Sequence, residues 1–413
     1  MTSPRAIALA LAAALTLGLA AGAHGESTAS RADPGVTATS VLIGGTTPLS
    51  GEASSGSLTA RGAEAYFKHV NARGGVHRRK ITYRYLDDGY EPARTVQAIR
   101  QLVQQDGVFA IFNSLGTAHN LAVRPYLNQV GVPHLFVASG ATTWGKEFRR
   151  YPWTIGFIPT YTAEGIIYGR YIRKTSPRAR IAVLFQDDEY GKDLVAGLKR
   201  GLGSAGARQI AAQQGYDPAS TDIQSEIARL KASRATVLMV FAFGKFAIQA
   251  FTYVDRLGWK PKIFVNAVAA SASVLTIASQ QGKNKRVEGA ISIAFFKDPA
   301  DPSFAKDAGY KLYRSIMKRY LPSANVKDGY YLAGMASAHA FVQTLQKAGR
   351  NLTRKAVQTA AARLDDRKNP FVLPGVRVKT SSSDHYPLEQ AQLERWRKGR
   401  WVRFGGLVSA PRA

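Results

Sequence analysis

Three short segments restrict what this chain can fold into more than anything else in it. Residues 108–112, 180–185 and 236–241 are almost wholly apolar from end to end. A strand with one face in water alternates apolar and polar residues, because successive side chains point to opposite faces. Runs without alternation mark strands covered on both faces, as in parallel sheets lying under helices. Four further strands are predicted at 41–46, 81–86, 134–138 and 262–265. Helical patterns separate them. Val96, Ile99 and Val103 recur at helical spacing after Pro92, a residue suited to a first helical turn. Ile223, Ile227 and Leu230 do the same behind Asp222, and 192–202 forms another, with Gly201 and Gly203 as its stops. Strand and helix alternating over more than 220 residues predict a parallel α/β architecture. The pattern alone allows one long sheet, a barrel or two sheets. The last hundred residues differ: three helices at 304–321, 329–348 and 353–364 precede a hairpin-like tail. That tail has extended runs at 376–380, 388–396 and 401–404, with Lys398 and Gly399 in the last turn.

The N-terminus bears on the compartment. Arg5 is followed by apolar and small residues up to Ala21, then by Gly22 and Ala23. A charged start, an apolar stretch and an Ala-x-Ala site predict an export signal cleaved after Ala23. Residues 24–38 are small and polar and read as a disordered leader. The sequence holds no cysteine, which excludes disulfides, thiolate metal sites, a Cys nucleophile and a lipid-bearing Cys. The expected product is free in a periplasm. About 390 residues then remain, more than one hydrophobic core supports, so two domains are expected. The 56 Lys and Arg against 28 Asp and Glu leave a net charge of +28. These basic residues are spread along the chain, and the dense runs at 73–80 and 395–403 are short. That spread predicts a generally basic surface, with attraction of anionic ligands or an acidic partner as the alternative, and no nucleic-acid partner.

Motifs for chemistry are weak. The string from Gly201 to Gly206 matches the dinucleotide fingerprint but follows a helix instead of a strand, so no cofactor is expected. The seven histidines lack metal-ligand spacing, and no Gly-x-Ser-x-Gly elbow marks a nucleophile. No metal site and no catalytic residue are assigned. What stands out lies just past the strands, where open α/β sheets place ligands. Thr46 to Gly51, Asn113 to Thr117 and Ala138 to Thr143 are rich in small and hydroxyl residues, and Gln186 to Gly191 opens a helix. Hydroxyls and bare N–H groups at helix starts suit a carboxylate.

Four stretches in order carry a family likeness. They are Val41-Leu42-Ile43-Gly44 with Thr47-Pro48-Leu49-Ser50-Gly51, Asn71-Ala72-Arg73-Gly74-Gly75-Val76, Tyr85-Leu86-Asp87-Asp88, and the run from Val183 to Lys192. With Gly258-Trp259-Lys260-Pro261 they resemble the branched-chain amino acid (leucine) binding proteins of the type I periplasmic binding fold. Residues 136–142, 152–154 and 373–375 resemble a branch associated with aromatic and other carboxylates. The resemblance implies two Rossmann-like lobes joined by three crossovers, lobe one being 39–156 plus 297–366 and lobe two 157–296 plus 367–409. It implies a monomeric, non-enzymatic binding subunit that passes its ligand from an interlobe cleft to the membrane permease of an ABC transporter. It places Ser50, Leu115, Gly116, Thr117, Ser139, Gly140 and Thr142 on the anion side. Tyr161, Tyr190 and Phe243, with Trp144 an alternative to Tyr161, become apolar walls. Asn266 stands where amino-acid binders of the family carry an acid, so an amine-free carboxylate is expected. A branched-chain amino acid or amide, a ligand sensor and an exported α/β hydrolase are the alternatives.

Overall fold

The computed structural model describes residues 33–281 and 285–409. The signal at 1–23 and residues 24–32 of the leader lie outside this range. The remaining leader residues are held: Leu42 N donates to Gly35 O, and Arg354 N donates to Asp33 Oδ2. Residues 33–38, expected as part of a disordered leader, thus have backbone and carboxylate partners.

Two sheets organise the rest. β1 (Ser40–Thr47), β2 (Lys80–Asp87), β3 (Ala110–Phe112), β4 (His134–Val137) and β5 (Thr154–Gly156) form one, in the order β2-β1-β3-β4-β5 with every pair parallel. β6 (Ile181–Gln186), β7 (Ile210–Tyr216), β8 (Val237–Phe241), β9 (Lys262–Val265) and β10 (Ile291–Ala294) build the parallel part of the other. After the small ladder β11 (Asp365–Asp366) and β12 (Val378–Lys379), β13 (Gln390–Arg397) and β14 (Arg400–Ser409) complete that second sheet as an antiparallel hairpin. Its order is β14-β13-β10-β9-β8-β6-β7. All five residues of β8 are buried, as the unalternating run predicts. Lys398 and Gly399 do form the hairpin turn, both at positive φ.

The helices are α1 (Ser57–Asn71), α2 (Pro92–Arg100), α3 (Thr117–Gln129), α4 (Thr143–Lys146), α5 (Tyr161–Thr175) and α6 (Glu189–Ala207). They continue with α7 (Gln224–Ala232), α8 (Lys245–Arg256), α9 (Ala272–Gln280), α10 (Ala308–Tyr320), α11 (Gly329–Ala348) and α12 (Arg354–Ala361). Among the described residues none is long and apolar enough to cross a membrane. α10 and α11 pack on α1, and so return to the first sheet.

The chain passes from the first sheet to the second after Gly156 and comes back after Ala294. The third passage lies later than residue 366. β12 pairs with β11, Tyr386 OH donates to Thr142 O at 2.9 Å, and the second sheet is joined only at Gln390. Residues 371–373 run beside the second passage, with Lys297 N bonded to Phe371 O and Leu373 N to Phe295 O.

α6 does not stop at Gly201. It runs to Ala207 with a kink at Gly203, whose φ is +76°. Gly201 instead has a packing duty. A Cβ there would stand 2.4 Å from Ile166 O, and one on Gly197 would stand 2.2 Å from Thr162 O. On α5, a Cβ on Gly165 would meet Leu194 O at 2.4 Å and one on Gly169 would meet Leu198 O at 2.6 Å. Two Gly-x-x-x-Gly faces therefore let α5 and α6 cross with their backbones in contact. The glycine string at 201–206 lies within α6, and its first glycine is part of this crossing.

Candidate functional site

The α5–α6 crossing brings the first residues of both helices together. Tyr161 and Tyr190 meet edge to face with ring centroids 4.8 Å apart. α6 starts where Asp188 caps it by accepting from Tyr190 N and Gly191 N. α5 starts where Thr160 Oγ1 accepts from Ala163 N. Both rings line a cavity of about 170 Å³ between the strand ends of the two sheets. An engineered apolar cavity of roughly 150 Å³ admits benzene, so there is room for one ring or a short chain. Leu115, Gly116, Thr117 and Phe243 also line it. Six of the eleven residues singled out from sequence thus share one wall.

Loops from both sheets meet around this space. Tyr90 stacks against Phe243 at 5.7 Å, Lys245 Nζ pairs with Glu52 at 3.3 Å, and Thr142 N donates to Asp193 Oδ2 at 2.7 Å. Tyr90 and Asn113 were not picked from sequence, yet both stand in the wall. Their backbones are at positive φ, +63° and +52°. Asn113 Oδ1 and the Tyr190 hydroxyl have no hydrogen-bond partner among the described residues. Burial pushes the Tyr190 phenol well above its ordinary range, so it stays a neutral donor.

Ser139 does not line the cavity but decides what Thr117 does there. Its Oγ accepts from Ala141 N and from Trp144 Nε1, both at 3.2 Å, and lies 2.7 Å from Thr117 Oγ1. A hydroxyl has one proton and two lone pairs. With both lone pairs taken, Ser139 gives its proton to Thr117. In that arrangement the Thr117 hydroxyl proton is available to an occupant of the cavity. Thr117 is also the first residue of α3, behind Gly116 at φ +105°, so unsatisfied N–H groups surround that proton.

The other selected residues support the site from behind or lie away from it. Gly140 O accepts from Tyr161 N at 2.7 Å and so fixes that ring. Thr142 shares a hydroxyl bond with Thr162 at 2.8 Å. Trp144 is buried beneath the loop, with the Arg124 guanidinium 5.3 Å from its ring. Ser50 is turned to Asp87, donating at 2.5 Å to a carboxylate that also takes the N–H groups of Leu49, Ser50 and Gly89. Asn266 is fully buried and accepts from Ala242 N, pinning the loop after β8.

No carboxylate occurs at 266–268 in sequence, but one stands there in space. Glu164 of α5 is 2 % exposed, and its Oε1 accepts from Ala267 N at 2.6 Å and from Tyr168 OH at 2.7 Å. Burial raises its carboxyl to about 7. It sits behind Ala267 and is not part of the cavity wall. No group of three or more His, Asp or Glu suited to a metal occurs among the described residues.

Comparison with known proteins bears on the family and the fold. A Leu/Ile/Val-binding protein homolog from Brucella abortus is 24% identical over 338 residues, 79% of this chain and 81% of the relative. A branched-chain amino acid ABC transporter protein from Thermus thermophilus, solved with valine, superposes with a TM-score of 0.76. It covers 91% of this chain and 97% of the relative at 18% identity. A solute-binding protein from R. palustris, solved with benzoate, gives 0.74 at 17% identity, over 90% of this chain and 97% of that one. The family profile described as "Periplasmic binding protein" matches residues 40–400. This chain therefore belongs to the periplasmic binding protein family, with the type I fold of two parallel-sheet lobes.

Proposed function

We propose that the protein captures a small carboxylate with an apolar body in this cavity and hands it to an ABC-type permease. The observation that carries the reading is the Thr117 proton, freed by the two donors on Ser139 and placed at a helix N-terminus. A carboxylate accepts from such a group, and the ring walls of Tyr161, Tyr190 and Phe243 take its apolar part. The strongly basic surface favours the approach of anions. The ligands named for two structural relatives, valine and benzoate, share a carboxylate on an apolar body. Nothing in this arrangement requires turnover, and we assign a binding role in the periplasm, as a monomer, in place of an enzymatic one.

A branched-chain amino acid is the second reading, and Glu164 is the observation that favours it. That carboxyl would have to leave Tyr168 and the Ala267 N–H to meet an α-ammonium, and an ammonium buried without a counter-charge is costly.

A thermal-shift screen against amino acids and amine-free acids tests the reading. A ligand present at about 100 times its Kd adds roughly 2.7 kcal/mol to stability. Thr117→Val keeps the side-chain shape and removes the proton. It should weaken binding of the best acid by about 1.5 kcal/mol, roughly tenfold. Tyr190→Ala or Phe243→Ala should cost about 1–3 kcal/mol of binding while the fold persists. Parental affinity in all three variants would place the ligand elsewhere.

A further inference from the structure

One wall of the cavity has no part in holding a carboxylate. It is formed where the chain leaves β10 and by the terminal hairpin, and two acids stand in it, Asp298 and Glu394. Glu394 is only 5 % exposed, and no hydrogen bond ties its carboxylate to a described residue. Asp298 Oδ1 accepts from Ala300 N at 2.8 Å, but its Oδ2 is buried without a partner. Lys297 is engaged elsewhere, whereas Arg403 lowers both acids electrostatically and keeps a buried Nε with no hydrogen-bond partner among the described residues. Lys297 Nζ donates to Asp307 Oδ1 at 2.6 Å and to Pro370 O at 2.8 Å. Arg403, opposite Glu394 in the ladder, donates to Asp301 Oδ2 at 3.3 Å and to Ser303 Oγ at 3.1 Å.

In a chain of net charge +28 this acidic wall runs against the prevailing sign. Burial drives the Asp298 carboxyl up to about 6. The Glu394 carboxyl is raised well above its ordinary range by burial and then by Asp298. Two such groups facing a cavity and not each other's partners do nothing for folding, since unpaired buried carboxyls cost stability. They are suited to a donor that arrives with a ligand.

We propose that Glu394 and Asp298 form a second pole of the ligand site, which takes a hydrogen-bond-donating group, an ammonium or a hydroxyl, remote from the ligand's carboxylate. This rests on the reading of Thr117 as the carboxylate end. The strand order gives the scale. β13, which carries Glu394, lies three strand spacings from β8, which leads into Phe243. At about 4.8 Å per spacing that is roughly 14 Å. Ile293, Phe295 and Phe296 line the space between. The ligand class is thus an elongated apolar body with a carboxylate at one end and a donor at the other.

The test is isothermal titration of the parent and of Glu394→Gln with octanoate, ω-hydroxyoctanoate, ω-aminooctanoate and octylamine. At least one ω-substituted acid should bind the parent roughly tenfold tighter than octanoate, a charge-assisted hydrogen bond's worth. That gap should shrink to within about threefold in Glu394→Gln. The amino acid gaining more assigns an ammonium, and the hydroxy acid gaining more assigns a hydroxyl. If octanoate binds as well as both substituted acids, the second pole is overturned and the carboxylate reading stands. If only octylamine binds, and Glu394→Gln abolishes it, the second pole stands and the carboxylate reading falls. Binding of none of the four overturns both. Should Glu394→Gln fail to fold, Asp298→Asn gives the same comparison.

Discussion

Gly197→Val should destabilise the protein by about 3 kcal/mol or more, although valine is the better helix former. The added Cβ would stand 2.2 Å from the Thr162 carbonyl oxygen, a backbone atom that cannot turn aside. α5 and α6 must then separate along their whole crossing, and Tyr161 and Tyr190 separate with them. Loss of stability should therefore come with loss of ligand binding. Gly197→Ala should also destabilise, against its helix propensity. Gly329→Ala is the control, since its nearest contact would be 3.9 Å away. Urea titration of the three variants checks this. A Gly197→Val chain as stable as its parent would mean that the helices are not in backbone contact.

The second large effect is a pH dependence set by Glu164. Its folded carboxyl stands at about 7 against an ordinary 4.5. Between these values the folded state keeps a proton that the unfolded state has lost, so stability falls as pH rises, and above 7 the loss is complete. The difference corresponds to about 3 kcal/mol. Glu164→Gln keeps an Oε1 acceptor for Tyr168 OH and Ala267 N and has no proton to lose. It should match the parent to within about 1 kcal/mol at pH 5 and exceed it by about 3 kcal/mol at pH 8. Denaturant midpoints across that range decide it, and a constant difference between the two proteins would refute the assignment.

What the sequence shows of this fold follows from what each segment has to do locally. The unalternating runs that became β3, β6 and β8 are buried on both faces, and composition alone reveals that. α5 left no comparable signal. Its buried face contains Gly165 and Gly169, residues that lower helix propensity and whose value exists only against Gly197 and Gly201 of α6. The same cause turned Gly201 into an apparent helix stop. The resemblance puts the third passage near 366, and no sequence pattern moves it, since β11 and β12 are two residues each.

The site divides in the same way. Thr117 and Tyr190 fall in stretches that follow strands, so strand prediction located those stretches, while Phe243 is implied only by the family resemblance. Ser139 was found as a hydroxyl in a loop, but its role as the donor behind Thr117 depends on Trp144 and Ala141 in space. Glu164 and Glu394 were missed for one reason. Each lies far along the chain from the loops it approaches, in a helix and a strand where a single acid reads as a solvated face. Reading Asn266 as the end of the search for an acid treated chain position as spatial position.

The central claim is that the cavity selects a carboxylate without demanding an α-ammonium. Isothermal titration with leucine and with its amine-free analogue, 4-methylpentanoate, at pH 7 tests it most directly. The side-chain partner of Thr117 is a hydroxyl and not an acid, so the analogue should bind at least roughly tenfold tighter, the penalty for an unpaired buried charge. Sub-micromolar binding of leucine with no heat from the amine-free acid would contradict the account.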